Sequence, residues 1–292
     1  FYTLRKGIIL AGGSGSRLAP STNVISKQLI PVFDKPMIYY PLSTLMLSGI
    51  REYLIITTSL DNHLYKKLLG DGSKWGINIQ YEIQRSPDGI AQAFIIAEKF
   101  ISESKIAFIL GDNLFHGNQL VPILQEANIK TNGATLFAYT VNDPERYGVI
   151  ELGPNREIIG IEEKPNNPKS RYAITGLYYY DNHVVEYSKR LKFSKRNELE
   201  ISDLNKLYLK AGNLNVQLLG RGTAWLDTGT IESLHEASSY IRTLENRQGL
   251  KISCPEEIAW RNSWISDNDL ENLSKPISKS GYGKYLLRLL NE

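Results

Sequence analysis

The chain has 292 residues, with 34 Lys and Arg against 31 Asp and Glu, and its formal net charge is +3. A hydrophobic fraction of 42% excludes a disordered chain, and the longest apolar runs fall far short of the ~20 residues that a membrane helix needs. A charge this close to zero does not suggest a nucleic-acid partner, and the single cysteine, Cys254, fits a protein of the reducing cytoplasm.

Apolar runs and helical periodicity alternate through the first half of the chain. The runs predict strands at 7–11, 53–57, 78–83, 106–110 and 134–141. The periodic segments predict helices at 37–48, 63–69, 90–100 and 122–130. This alternation is typical of an α/β fold with a doubly wound, mostly parallel, Rossmann-like sheet.

The alternation changes after Pro144. A β-hairpin is predicted at 148–152 and 157–162, and a Tyr-rich strand at 172–180. Helices near 182–191, 201–211 and 231–245 and a strand at 215–220 come next, followed by a short helical extension from residue 248 that ends in a helix at 286–290. Because no linker or composition change marks a boundary, we predict a single domain over residues 1–292 with an inserted hairpin and a C-terminal extension.

The loop after the first strand is the most informative segment. It reads Leu10-Ala-Gly-Gly-Ser-Gly-Ser-Arg17, and its three glycines let backbone N–H groups approach an anion while Arg17 adds a positive charge. Lys27 supplies a second cation in an apolar stretch bounded by proline. The pattern favours a phosphate-binding loop over a plain glycine turn.

Three better-known glycine motifs do not match this loop. A Walker A loop would end in Gly-Lys-Ser/Thr, where Arg17-Leu18 stands here. A dinucleotide fingerprint would need a glycine at Leu18 and an acidic residue about 20 positions later at the end of the second strand, but that strand ends near Thr58. A nucleophile elbow around Ser14 would need a glycine at position 16.

Two aspartates are candidate metal ligands. Asp112 follows the strand at 106–110, at the sheet edge where α/β proteins bind ligands, and Asp227 lies in a glycine-bounded loop after a strand. Mg²⁺ takes one or two carboxylates and completes its coordination with phosphate oxygens and water. Either residue could equally be a turn or N-cap aspartate, and the sequence alone does not bring positions more than a hundred residues apart together.

Taken together, the motifs resemble those of the sugar-phosphate nucleotidylyltransferases. The resemblance rests on Leu10–Arg17, on Lys27-Gln28-Leu-Ile-Pro31 and on Lys35-Pro-Met37. Further matching segments are spread over the chain: 69–73, 87–93, 142–148, 162–165, 225–229 and 254–259. Within that family the whole chain resembles the bacterial glucose-1-phosphate thymidylyltransferases.

This resemblance implies a reaction and a division of the chain. The expected reaction joins dTTP to glucose 1-phosphate, gives dTDP-glucose and pyrophosphate, requires Mg²⁺, and begins the synthesis of dTDP-L-rhamnose. Residues 1–141 would form the nucleotide-binding half, 142–247 the sugar-phosphate-binding half and 248–292 the helical extension. A uridylyltransferase, an enzyme for another sugar 1-phosphate, or a catalytically silent regulator that binds nucleotide sugars remain alternatives.

The resemblance also implies roles for individual residues. The expected catalytic residues are Arg17, Lys27, Lys164, Asp112 and Asp227, of which the two aspartates would hold the metal. Nucleotide binding is expected from Leu10, Gly12, Gly13, Ser14, Gly15, Gln28, Gln84 and Gly89. Sugar-phosphate binding is expected from Tyr147, Gly148, Glu163, Ile174, Thr175, Gly176 and Trp225.

Members of this family are usually homotetramers that the end product dTDP-rhamnose inhibits at a second nucleotide site. The residues expected at that site are Leu47, Gly117, Arg221, Glu257 and Arg261. His116 and Val121 stand where relatives carry Tyr and His, so the regulatory site departs from the family pattern. We expect no membrane and no nucleic-acid partner.

Overall fold

The computed structural model describes residues 5–13, 15–130 and 132–291. Elements of its first half are β1 (Arg5–Ala11), β2 (Pro31–Val32), β3 (Lys35–Pro36), α1 (Tyr39–Leu47), β4 (Glu52–Thr57), α2 (Asn62–Leu69), β5 (Asn78–Ile83), α3 (Gln92–Ile96), α4 (Glu98–Ile101), β6 (Lys105–Leu110), β7 (Asn113–Gly117), α5 (Leu120–Ile129) and β8 (Ala134–Thr140). Those of the second half are β9 (Gly148–Leu152), β10 (Ile158–Glu163), β11 (Tyr172–Tyr180), α6 (Val184–Lys189), α7 (Ile201–Lys210), β12 (Leu214–Leu219), β13 (Thr223–Asp227), α8 (Ile231–Gln248), α9 (Pro255–Arg261), α10 (Asp267–Ser274) and α11 (Gly281–Leu289).

A mostly parallel central sheet confirms the predicted fold class. Its order is β5-β4-β1-β6-β11-β8-β12, and β11 is antiparallel to both neighbours while the other pairs are parallel. Helices cover both faces, as in a doubly wound fold. The carboxyl ends of β1 and β6 therefore meet at the same edge of the sheet.

The long strand β11 holds the inserted hairpin in place. Its second half pairs with β6 from Leu177 to Tyr180, whereas its first half contacts β9 on the same side through Ala173 and Val149. Strands β9 and β10 form the predicted antiparallel hairpin. The hairpin thus extends the sheet beyond the end of β6, and the space between them becomes a cavity.

Sequence patterning missed a two-stranded ribbon. Strands β7 and β13 pair antiparallel, with Asn113 opposite Asp227. Asp227 was expected in a loop after a strand, but it is the last residue of β13.

The expected helix at 90–100 is interrupted at Ala97 into two short helices, α3 and α4. The last helix begins five residues earlier than predicted, at Gly281 after a Ser280 cap.

Two apolar cores lie on opposite faces of the sheet, because successive strand residues point to opposite sides. In β1, Ile9 packs in one core with α1, α2 and α5, and Ile8 packs in the other with α3, α6 and α7. The C-terminal helices add Ile258, Leu270 and Leu286 to the core that contains Ile9. Within the described residues, no helix is both long and apolar enough to cross a bilayer.

Candidate functional site

A cavity of about 450 Å³ opens between the carboxyl end of β6, the β9–β10 hairpin and the β7–β13 ribbon. It gathers residues from distant parts of the chain. The predicted site residues that line it are Arg17, Asp112, Tyr147, Gly148, Glu163, Lys164, Ile174, Thr175, Gly176, Trp225 and Asp227. The fold thus brings both candidate metal ligands, two of the predicted catalytic cations and all the predicted sugar-phosphate residues to one place.

Asp112 and Asp227 face the cavity in different electrostatic settings. Burial acts to raise the pKa of Asp112, but the ammonium of Lys27, hydrogen-bonded to its Oδ2, and the amide of Asn113 lower it below the ordinary value. Burial and the nearby Asp112 carboxylate raise the pKa of Asp227. Lys27, expected on the phosphates, pairs with Asp112 in this structure.

Asn113 links the carboxylates to the walls of the cavity. Its Oδ1 accepts hydrogen bonds from the Trp225 indole Nε1 at 2.6 Å and from the Gly176 backbone N–H at 3.0 Å. Its Nδ2 donates to Asp112 Oδ1 at 2.9 Å. A Cβ on Gly176 would lie 2.6 Å from Asn113 Oδ1, so only glycine allows this approach. One buried amide at the start of β7 therefore joins Asp112, β11 and β13 at the site.

The part of the cavity that is predicted to bind the sugar phosphate carries an acid, Glu163, and a cation, Lys164. Glu163 ends β10, where its carboxylate accepts hydrogen bonds from Ser202 Oγ and, at 3.4 Å, from Arg196 Nη2. Lys164 follows with a left-handed φ of 45°, a strained backbone conformation for a residue with a side chain. Its backbone N–H donates to Tyr147 O at 3.0 Å, and no described residue pairs with its ammonium.

The phosphate-loop candidate follows β1 directly. Gly13 has no heavy atom within 4 Å of the position of a Cβ, and Gly15 has a left-handed φ of 63° that begins a short 3₁₀ turn at Ser16–Leu18. Leu18 is fully buried and anchors the turn, while Arg17 faces the cavity. Leu10, the last residue but one of β1, pairs with Leu110 of β6. Ser14 lies outside the described residues.

The remaining nucleotide-binding candidates are two glutamines and a glycine. Gln28 is buried, and its Oε1 accepts from Ser26 Oγ at 3.0 Å and from the Tyr65 hydroxyl at 3.2 Å. Gln84 is buried beside Gly12, and its Nε2 donates to Gly89 O at 3.3 Å. They line the same edge of the sheet as the glycine loop, outside the cavity itself.

The donor set at the two aspartates fits a magnesium ion. Two carboxylates supply hard oxygen ligands, and no group of three or more His, Cys, Asp or Glu side chains suited to a metal occurs in the described part of the chain. The protein alone would therefore leave several coordination positions for phosphate oxygens and water, as Mg²⁺ requires.

Leu47 ends α1, and three further predicted regulatory residues, Gly117, Glu257 and Arg261, lie on β7 and α9, which both pack against α1. Gly117 pairs with Thr223 across the ribbon, next to the turn that carries Arg221. Glu257 and Arg261 form an ion pair of 2.8 Å on successive turns of α9. The structure gives their positions, and their regulatory role stays a prediction.

Several residues of the site escaped the sequence reasoning. Asn113 directly follows Asp112, and Arg146 precedes Tyr147 within the matching segment 142–148, but the sequence alone predicts a role for neither. Arg146 lines the cavity and forms an ion pair with Asp143 at 2.6 Å. Ser202 lies in the first turn of α7, and its hydroxyl donates a hydrogen bond to the Glu163 carboxylate. Asn113 and Arg146 each adjoin a predicted site residue, and this position next to a predicted ligand is the sequence signal that could have identified them.

Comparisons with known proteins show the family to which the chain belongs. A family model described as "Nucleotidyl transferase" matches residues 6–243. The glucose-1-phosphate thymidylyltransferase of Neisseria meningitidis is 60% identical over 287 residues, which cover 98% of this chain and 100% of the relative. That of Mycobacterium tuberculosis is 54% identical over 285 residues, covering 98% and 99%.

Solved structures give the same result. A Bacillus anthracis protein described as a glucose-1-phosphate thymidylyltransferase, in complex with sucrose, aligns with a TM-score of 0.76 and 43% identity over 82% of this chain and 95% of its own. A UDP-glucose pyrophosphorylase complexed with UDP-glucose aligns at 0.69 and 25% identity, over 82% and 99%. The chain therefore belongs to the nucleotidyl transferase family, within the group of the glucose-1-phosphate thymidylyltransferases.

Proposed function

We propose that the protein transfers a thymidylyl group from dTTP to glucose 1-phosphate and releases pyrophosphate. The observation that carries the proposal is one cavity whose lining joins Arg17 and Lys164 to the two aspartates, with Glu163 next to Lys164. Two anionic substrates need cations between them, and a hexose needs hydrogen-bonding groups beside its phosphate site. The names of the relatives support the choice of thymidine nucleotide and glucose 1-phosphate.

The bond changes require no protein nucleophile. An oxygen of the sugar phosphate attacks the α-phosphorus of dTTP in line, the bond to the β-phosphate oxygen breaks, and pyrophosphate leaves with that electron pair. Among the described residues of the cavity there is no His or Cys, so neither a Ser–His nor a Cys–His pair is available there. The protein therefore works by alignment and charge, and alignment can contribute about 7–11 kcal/mol.

Each charged residue has a distinct task in this scheme. Lys164 neutralises the attacking phosphate, and Arg17 stabilises the charge that develops on the departing pyrophosphate. Glu163, held by Ser202 and Arg196, accepts hydrogen bonds from sugar hydroxyls. Asp112 and Asp227 would hold Mg²⁺, which supplies Lewis-acid stabilisation and a template for the phosphates when bound.

The test is a pyrophosphate-release assay in which dTTP and UTP are crossed with several sugar 1-phosphates, with Mg²⁺ or with EDTA. We expect the highest kcat/KM for dTTP with glucose 1-phosphate and no turnover in EDTA. A preference for UTP would make the protein a uridylyltransferase. Binding without turnover in any combination would favour the silent regulator.

We also propose a homotetramer of the cytoplasm that supplies dTDP-glucose for dTDP-L-rhamnose synthesis and is inhibited by that end product. Support comes from Gly117 on β7 and the Glu257–Arg261 pair on α9, two elements that pack against α1, and from the position of Arg221 in the turn next to Gly117. Light scattering measures the mass, and a dTDP-rhamnose titration of wild type against Arg221→Ala measures inhibition. A monomer, or equal inhibition of both proteins, would contradict these two proposals.

A further inference from the structure

Gln84 lies beside the glycine loop with its amide held in one orientation. The side chain is only 7% exposed and follows β5, where its backbone N–H donates to Thr57 O at 2.8 Å. Its Nε2 donates to Gln92 Oε1 at 2.7 Å and to Gly89 O at 3.3 Å. Both donor hydrogens are thus used away from the loop.

Asp88 determines the direction of these hydrogen bonds. Gln92 Nε2 donates to Asp88 Oδ2 at 2.7 Å, and Ser86 Oγ donates to the same oxygen at 2.5 Å. A carboxylate only accepts hydrogen bonds, so Gln92 must turn its NH₂ group toward Asp88 and its Oε1 toward Gln84. In the relay Asp88–Gln92–Gln84, hydrogen bonds can therefore be donated in only one direction, from Gln84 to Gln92 and from Gln92 to Asp88.

The relay ends at an acceptor, Gln84 Oε1, that no described residue uses, at the edge of the sheet where the nucleotide is expected. A Cβ on Gly12 would lie 2.5 Å from Gln84 Oε1, so only glycine lets the loop after β1 pass this close to that oxygen. No described residue donates a hydrogen bond to Gln84 Oε1, whereas both hydrogens of Nε2 are engaged. A buried amide with a fixed, unused acceptor is suited to reading a donor on a ligand.

We propose that Asp88 and Gln92 are positioning residues that set base specificity by holding Gln84 Oε1 toward the N3–H of a thymine or uracil ring. The proposal rests on the proposed function, because it needs the base to lie at this edge. Cytosine carries no hydrogen at N3, so its lone pair would face that of Oε1. A site built to pair with an N–H rejects a base that lacks it, because both acceptors are then left unpaired.

The test measures binding of dTTP and dCTP by calorimetry without sugar phosphate. Gln92→Met keeps the size of the side chain but removes both relay contacts, which leaves Gln84 with only the 3.3 Å bond to Gly89 O. We expect the ratio of the dCTP Kd to the dTTP Kd to fall about tenfold, the scale of one hydrogen bond. Gln80→Met, at an exposed glutamine of β5, is the matched control and should keep the wild-type ratio.

A double variant tests whether the direction of the relay's hydrogen bonds matters, as distinct from the packing of the Gln92 side chain. Asp88→Asn with Gln92→Glu exchanges the amide and the carboxylate, so the new amide at position 88 would donate to the new carboxylate at position 92, which would still accept from Gln84. The exchange should return the ratio to within about twofold of wild type, which a merely structural role of Gln92 would not predict. Asp88→Ala, which removes the anchor of Gln92, should lower the ratio if Gln92→Met does not fold.

The results that would overturn the proposal are an unchanged Kd ratio in folded Gln92→Met, or an exchanged variant that binds like Gln92→Met. Wild-type protein that binds dTTP and dCTP equally would overturn it as well. Failure of the proposed function would appear in a different measurement, the pyrophosphate that the wild type releases from dTTP and glucose 1-phosphate. The Kd ratios can be measured whether or not the protein turns over.

Discussion

Asp112 and Asp227 carry the same side chain, yet the fold shifts their pKa values in opposite directions. The pKa of Asp227 is raised by burial and by Asp112, so its ionised form costs stability at neutral pH, and that cost disappears as the pH falls through the raised value. The pKa of Asp112 is lowered because Lys27 and Asn113 outweigh burial. Ionised Asp112 therefore stabilises the fold at pH values above the ordinary pKa of aspartate, and this stabilisation is lost as the pH falls through the lowered pKa.

Replacing each aspartate by asparagine should therefore separate stability from turnover. At pH 7 we expect Asp227→Asn to raise Tm by about 2–4 °C, the shift that roughly 1 kcal/mol gives in a chain of more than 150 residues. Asp112→Asn should lower Tm, since it leaves the buried Lys27 without its carboxylate. Both variants should lose pyrophosphate release. Thermal unfolding with Tm shifts of the same sign would contradict the electrostatic assignment.

Lys164 gives a second prediction at the residue scale. Lys164→Met removes a cation of the cavity that has no described partner, and should lower kcat/KM for glucose 1-phosphate about 100-fold. Because no ion pair is broken within the described chain, Tm should change little. Lys210→Met, at an exposed position of α7, is the matched control and should leave the kinetics unchanged. Wild-type turnover in Lys164→Met would remove this residue from the mechanism.

At the scale of elements, the ribbon β7–β13 positions the site, and Asn113 fastens it to β11. Asn113→Leu would leave the Trp225 indole N–H and the Gly176 backbone N–H without an acceptor. We expect a loss of about 3 kcal/mol in the free energy of unfolding and a higher KM for glucose 1-phosphate. Urea denaturation measures the first. The exposed Asn78→Leu should be nearly neutral, and equal losses in both variants would argue against this bridging role.

The same elements show how far sequence reasoning reaches. Strands β5 and β11 have the predicted bounds, because their turn residues and apolar or Tyr-rich composition are local signals. The ribbon was missed because Asn113 and His116 interrupt the apolar pattern of β7, and the partner strand begins more than a hundred residues later. The antiparallel direction of β11 was not visible either, since a strand pattern carries no information about its neighbour.

At the scale of the whole molecule, the C-terminal helices are part of the main core. The family model ends at residue 243, yet Leu286 in α11 is fully buried in the core that contains Ile9 of β1. Leu286→Ala should lower the free energy of unfolding by about 2–5 kcal/mol, as for other buried leucines. Leu250→Ala, at a position 45% exposed, should cost much less. A small loss for Leu286→Ala would mean that the extension packs independently of that core.

The sequence by itself determined the order of the elements, the glycine loop before Arg17 and the residue types that phosphates, sugars and a divalent cation require. These are local properties: periodicity, turn residues and the chemistry of single side chains. Only the tertiary structure decided that Asp112 and Asp227 face one cavity, that Lys27 pairs with Asp112, and that Asp88 sets the orientation of Gln84 through Gln92. Such relations depend on register, strand direction and the sense of hydrogen bonds, which arise when distant segments pack and have no counterpart in the order of residues along the chain.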